Sequence, residues 1–233
     1  MRRHIIATLA AVAIVGIAAG AEAQVSQSVS FNAGYFSIRG EDARPVEDVL
    51  VQNAGFLDFN ISDFSGGTVG ADWLVAFGDY LQAGVGIGYY RRTVPSVYRA
   101  YINDDGSEIA QDLRLRVAPL TLTARFLPLG RHAGFEPYVG AGLAVYNWLY
   151  SETGEFVDFT DSSIFRASYS DSGNEVGPVF LLGARVPTGD AFAVGGEFRY
   201  QTAKATLDPA MEFAGTKIDL GGYVTQVTFQ LRF

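Results

Sequence analysis

The stretch "YVTQVTFQLRF" at residues 223 to 233 has a period of two. Tyr223, Val227, Phe229, Leu231 and Phe233 share one parity, while Gln226, Thr228, Gln230 and Arg232 share the other. Side chains alternate across a strand, so the pattern predicts a strand with one apolar and one polar face. Ordering entropy usually frays the last residues of a chain, yet apolar side chains run here to Phe233. Something must cover that face.

Seven more segments alternate in the same way: 27–39, 67–77, 80–93, 113–127, 136–149, 176–186 and 191–205; with 220–233 they make eight. Each is about the 9 to 11 residues that a tilted strand needs to cross hydrocarbon, or longer. In 67–77, Val69, Ala71, Trp73, Val75 and Phe77 oppose Gly70 and Asp72. In 80–93, Leu81, Ala83, Val85, Ile87 and Tyr89 oppose Gln82, Gly84, Gly86, Gly88 and Arg92. In 191–205, Phe192, Val194, Phe198 and Tyr200 oppose Glu197, Arg199 and Gln201.

Two segments change parity. Leu113, Leu115 and Val117 lie on one face and Leu120, Leu122 and Phe126 on the other, with Pro119 at the change. A bulge is predicted there, since a missing donor is tolerated at a bulge and the facing shifts by one. Segment 136–149 also changes parity, near Asn147 and Trp148.

Links alternate strictly between short and long. "FGDY", "PLGRHAGF" and "PTGDA" are short and built on Gly, Pro and Asp, which tolerate turn dihedrals; residues 40–66, 95–112, 150–175 and 206–219 are long and acidic. All long loops then fall at one end, as in a membrane barrel with short periplasmic turns and long external loops. The expected fold is all-β, an eight-stranded antiparallel up-and-down transmembrane β-barrel. Closure of the last strand on the first removes the sheet edge, and lipid covers the apolar face. The apolar parity is the lipid face, with Trp73, Phe77 and Tyr223 suited to aromatic girdles.

Composition adds a compartment. "MRRH", the apolar run "IIATLAAVAIVGIAA" and the small residues of "AEA" predict a secretory signal peptide at 1–23, leaving 24–233 as the barrel domain. Removing Arg2, Arg3 and Glu22 takes the formal charge from −8 to −9, which excludes a basic nucleic-acid footprint. The 27 Gly, 17 Phe and 12 Tyr suit an all-β chain, and the absence of Cys excludes disulfides and thiolate metal sites. After Gln24 no stretch approaches the roughly 20 apolar residues of a spanning helix.

The N-terminal leader, "VTFQLRF" ending in Phe233, "PYVGAGLAVY" at 137–146 and "GGEFRY" at 195–200 together resemble the small eight-stranded outer-membrane β-barrels of Gram-negative bacteria, of the OmpA/OmpX/OmpW and opacity-protein kind. The resemblance implies an outer-membrane location among lipid and lipopolysaccharide. It also implies that Phe229, Leu231 and Phe233 form the signal read by the barrel-insertion machinery, with periplasmic chaperones as partners during biogenesis.

Candidate chemistry lies in inward charges: Asp72, Arg92, Arg125, Arg185, Glu197, Arg199 and Arg232. An eight-stranded barrel is just wide enough for side chains to fill it, and charges inside must pair. The expectation is an internal salt-bridge plug; the alternative is an arginine-lined lumen that passes or binds anions. The inward glycines Gly84, Gly86, Gly88, Gly140 and Gly142 are expected to make room for long side chains. "GVGIG" and "GAGLAV" match no full nucleotide fingerprint. The family includes lipid A acyltransferases and deacylases with a His base near the outer rim, but His132 lies in a short turn at the opposite end, so no enzyme is expected.

The acidic loops read as solvated, without calcium-loop spacing, so no metal or cofactor is expected. Function is then expected to be of structural or surface-interaction type: membrane integrity, adhesion or recognition through the loops. A conduit for small or hydrophobic molecules, porin-like or OmpW-like, is the alternative. A soluble lipocalin-like barrel would show the reverse pattern, apolar inside and polar outside.

Overall fold

The computed structural model describes residues 26–233, so the signal-peptide segment 1–23 lies outside the described residues. Among the described residues there are eleven strands: β1 (Ser26–Ile38), β2 (Leu57–Asp58), β3 (Gly66–Phe77), β4 (Leu81–Ile102), β5 (Glu108–Phe126), β6 (Glu136–Val157), β7 (Ile164–Pro187), β8 (Phe192–Gln201), β9 (Lys204–Thr206), β10 (Lys217–Asp219) and β11 (Gly222–Arg232). Eight of them close a ring in the order β4-β3-β1-β11-β8-β7-β6-β5, with β5 returning to β4 and every pairing antiparallel. The closing pair runs from Ser28 opposite Arg232 to Ile38 opposite Gly222. Gly78, at φ +65°, makes the tight turn between β3 and β4 in the left-handed region that glycine enters without steric cost.

The ring strands differ in length. β4, β6 and β7 have 22, 22 and 24 residues, whereas β8 has 10 and β11 has 11. The outward apolar band covers Leu81 to Tyr89 on β4, Leu120 to Phe126 on β5, Val139 to Val145 on β6 and Val176 to Val186 on β7. At about 3.3 Å per residue and a tilt near 40°, these spans rise roughly 15–25 Å along the barrel axis, the tallest matching the apolar belt of such barrels. Above it β4 to β7 continue about as far again, as a four-stranded wall.

That extension corrects the expectation at Pro119. Ile87 pairs with Leu120 and Tyr90 with Val117 in one continuous register, and β5 pairs with β6 without a shift from Gln111 to Phe126. No bulge lies at Pro119; the register shift between β4 and β5 falls farther up, between Val97 and Ile102. Odd-numbered residues of β5 point inward throughout, so Leu113, Leu115 and Val117 are buried as Thr121, Thr123 and Arg125 are. What changes at Pro119 is the outer environment: lipid below it, water above. The change near Asn147 and Trp148 has the same cause, since β6 keeps its register with β7 from Glu136 to Val157, Trp148 is buried inside and Asn147 faces out. The reversed polarity expected of a soluble barrel is therefore present, but only in the part that rises above the band.

The concave face of this wall is filled by the loops after β1 and β8. Helix α1 (Val49–Ala54) buries Val49 and Leu50, and the following turns bury Leu57, Phe59, Ile61 and Phe64. The β9–β10 hairpin and its flanks add Ala205, Leu207, Ile218 and Leu220 against Ile109, Leu115, Tyr146 and Trp148 of the wall.

Candidate functional site

Inside the membrane band the barrel is occupied by charged side chains. Arg199 Nη2 donates to Asp72 Oδ2 at 2.6 Å and its Nε donates to Glu197; Arg125 lies 3.3 Å from Glu197 and 3.5 Å from Asp72. Neutral donors complete the two carboxylates: Asn32 to Asp72 at 2.7 Å, Tyr138 to Glu197 at 2.9 Å and Gln226 to Glu197 at 2.9 Å. Each ion here has an opposite partner and at least one hydrogen bond, as burying charge requires, although Arg125 Nε has no hydrogen-bond partner of its own. Gly86 belongs to the site, because a Cβ there would lie 2.0 Å from Asp72 Oδ1.

A second cluster lies nearer the short turns. Arg232 Nη2 donates to Glu136 Oε2 at 2.6 Å, and Arg185 lies 3.6 Å from the same oxygen while donating to Gln82 at 3.0 Å. The Tyr138 ring lies between the clusters, with the guanidinium of Arg185 4.9 Å and that of Arg125 5.2 Å from its centroid. Such contacts stabilise a desolvated cation. A Cβ at Gly183 would fall 2.5 Å from Tyr138, and one at Gly195 would fall 2.9 Å from Arg185, so these glycines, absent from the sequence-based set, clear the space.

Six of the seven inward charges named from sequence, Asp72, Arg125, Arg185, Glu197, Arg199 and Arg232, face into the barrel in these two clusters. Arg92 does not join them: it is exposed above the band and its Nε donates to the Asp63 carbonyl at 2.9 Å. Parity placed it inward, but at its level the lumen has already become apolar. Glu136 was missed because it opens a strand next to a turn, where an acid reads as solvated; the inward parity of Tyr138 two residues on was the available signal.

Above the charges lies a cavity of about 40 Å³ between Asn32, Tyr90, Thr121, Arg199 and Gln201, room for a few waters at most. Over it sits the apolar core of the wall and loops, latched by polar contacts. Asp48 caps α1 by accepting from Leu50 N at 2.9 Å, pairs with Arg44 at 3.0 Å and accepts from Asp219 N at 2.7 Å. Arg39 joins Asp219 at 3.1 Å and donates to the Tyr200 hydroxyl at 2.7 Å. Asn53 of α1 donates to Glu152 of β6 at 2.6 Å, as Tyr150 does at 2.8 Å. Burial pushes the Glu152 carboxyl above its ordinary range, against these two hydrogen bonds, which pull it down. Asp48 and Glu152 thus correct the reading of every loop acid as solvated.

Trp73, Phe77 and Tyr223 face outward, as do Phe229, Leu231 and Phe233. Tyr223 stacks on Phe198 at 5.6 Å, and Phe192 stacks on Phe229 at 5.6 Å nearer the short turns. His132 is exposed at the short-turn end with Nε2 3.3 Å from Asp79.

The family model of the outer membrane protein beta-barrel domain matches residues 7–233, and the chain belongs to that family. Among solved structures it is similar to a major outer membrane protein from Thermus thermophilus, at 14% identity, TM-score 0.50, and coverage of 90% of this chain and 100% of that one. It is also similar to Neisserial surface protein A (12% identity, TM-score 0.48, 90% and 96% covered). The outer membrane protein OprG from Pseudomonas aeruginosa is a third (14% identity, TM-score 0.47, 90% and 94% covered). A search of curated proteins finds no match. Family membership makes this an outer-membrane barrel protein.

Proposed function

We propose that the protein is a closed, non-conducting barrel of a Gram-negative outer membrane, exported through its leader, that carries a folded acidic module above the cell surface. The observation that supports this reading is occlusion at two stacked levels: ion pairs within the band, and above them an apolar core formed by the wall and the loops after β1 and β8. A conduit would need both to open. The short-turn end faces the periplasm and the long-strand wall faces outward, so the wall's outer side is what a partner meets.

That outer side presents Asp58, Asp104, Asp105, Glu108, Asp112, Asp158 and Asp161, all exposed. It also holds a groove of about 830 Å³ that includes Asp58, Glu108, Asp112 and Glu155. The surface fits a cationic partner, and its role is adhesion or recognition. Cells producing the wild-type protein should adhere to a polylysine-coated surface more than cells producing a variant with Asp104, Asp105, Asp158 and Asp161 changed to Ser. Equal adhesion at equal surface abundance would contradict the interaction role.

A further inference from the structure

We propose that Arg91, Arg114 and Arg116 form a phosphate-binding patch on the outer wall of β4 and β5, which holds a phosphorylated glycolipid of the surrounding leaflet. The inference rests on the reading above that the long-strand wall faces outward, which makes this leaflet the outer one.

The arginines sit where the wall leaves hydrocarbon. On β4 the unbroken outward apolar series from Leu81 ends at Tyr89, and the next outward position is Arg91. On β5 the outward series runs Leu122, Leu120, Ala118, Arg116, Arg114. Arg91 and Arg116 are direct cross-strand partners, and Arg114 faces Thr93 one outward step farther up. Like charges directly opposite on a sheet face are destabilising, so two arginines here work against the fold unless an anion lies between them.

No protein carboxylate plays that part. Among the described residues none of the three has a salt bridge; Arg114 Nε donates to Thr93 at 3.4 Å and Arg116 Nη2 donates to Asn147 at 3.2 Å. Arg99 and Arg166, farther up the same wall, do have carboxylate partners, Asp58 at 3.7 Å and Glu155 at 3.0 Å. In an acidic chain, three carboxylate-free arginines gathered at the membrane boundary fit an anion supplied by the membrane. Of the other described arginines, Arg92, which donates to the Asp63 carbonyl, and Arg131, at the short-turn end, also have no salt bridge, and the remaining eight do. Asp112 faces Pro95 one outward step above Arg114, and Asp63 lies beyond Arg92, which donates to its carbonyl. The row continues sideways as neutral donors and acceptors, with Asn147 Nδ2 donating to Asn174 at 3.1 Å on β7. Guanidinium forks match phosphate geometry, and the apolar band directly below receives the acyl chains of the same molecule.

Native mass spectrometry of the mature protein in detergent, with added bis-phosphorylated lipid A, tests the patch. Wild type should retain this lipid and release its dephosphorylated form. Loss of attraction should be about fivefold per arginine and roughly 100-fold for Arg91→Gln, Arg114→Gln and Arg116→Gln combined. Arg99→Gln with Arg166→Gln should change nothing, and the triple Lys variant should retain binding. Folding of each variant is checked by its compact migration in unheated gels, and Arg91→Gln alone serves if the triple variant does not fold. Equal retention of the dephosphorylated lipid, unchanged binding in the variants, or displacement of the lipid by excess inorganic phosphate would overturn the proposal. Because binding is read without a bilayer, its failure is separate from any failure of the closed-barrel reading, which conductance decides.

Discussion

Replacing Glu197 by Ala is the perturbation that most directly loads the ion-pair network. Glu197 is 3% exposed and serves Arg125, Arg199, Tyr138 and Gln226. Its removal leaves Arg125, Arg185, Arg199 and Arg232 facing only Asp72 and Glu136. Breaking a buried pair costs about 3–5 kcal/mol because the surviving charge is stranded. The loss expected here is near the lower end, about 3 kcal/mol, since Arg199 keeps Asp72 at 2.6 Å and Arg125 stays 3.5 Å from it. The assay is equilibrium guanidinium unfolding in phosphatidylcholine vesicles, followed by tryptophan fluorescence. Adding Arg125→Met to Glu197→Ala should recover much of the loss, because it removes a stranded charge and keeps an apolar stem. A loss below about 1 kcal/mol, the range of solvated surface pairs, would refute the argument by showing that water reaches these side chains.

Leu115→Ala should cost about 2–5 kcal/mol in the same assay, since Leu115 is 0% exposed in the core above the band. As the chain has no native Cys, a cysteine placed at Arg116 should react with a water-soluble thiol reagent in vesicles while one at Leu122 should not; equal labelling would contradict the assigned membrane exit. Asp48→Ala should strand Arg44 and uncap α1, exposing residues 39–65 to protease while the barrel stays folded; unchanged protection would contradict the latch. Because the folded state holds the Glu152 proton more tightly than the unfolded state, its contribution to the docking of α1 on the wall is greatest below the unfolded value of about 4.3 and falls as pH rises toward the raised folded value. Glu152→Gln accepts the same two hydrogen bonds without a charge, so amide exchange in α1 should depend less on pH than in wild type. An unchanged pH dependence would contradict the role given to Glu152.

The period of two, the alternation of link lengths and the apolar parity of each segment made the ring legible in the sequence, because one physical rule, lipid outside and side chains inside, applies along every strand in the band. The rule changes above the band, which is why Leu113, Leu115 and Val117 read as a bulge and Arg92 as a lumen charge. Pattern alone does not say where the membrane stops; two successive parity changes on neighbouring segments, at Pro119 and at Asn147, were the trace of it. The loop core packed against the wall was not legible for a different reason. Val49, Leu50, Phe59 and Phe64 are separated by turns, and their burial depends on a wall contributed by residues far along the chain.

Single-channel conductance in planar bilayers tests the central claim of two closures in series. Wild type and Glu197→Ala should both be silent, a variant with residues 44–64 replaced by a short Gly/Ser link should be silent, and the combination of the two should conduct. Stable channels in wild type, or in Glu197→Ala alone, would contradict the account and move transport into first place.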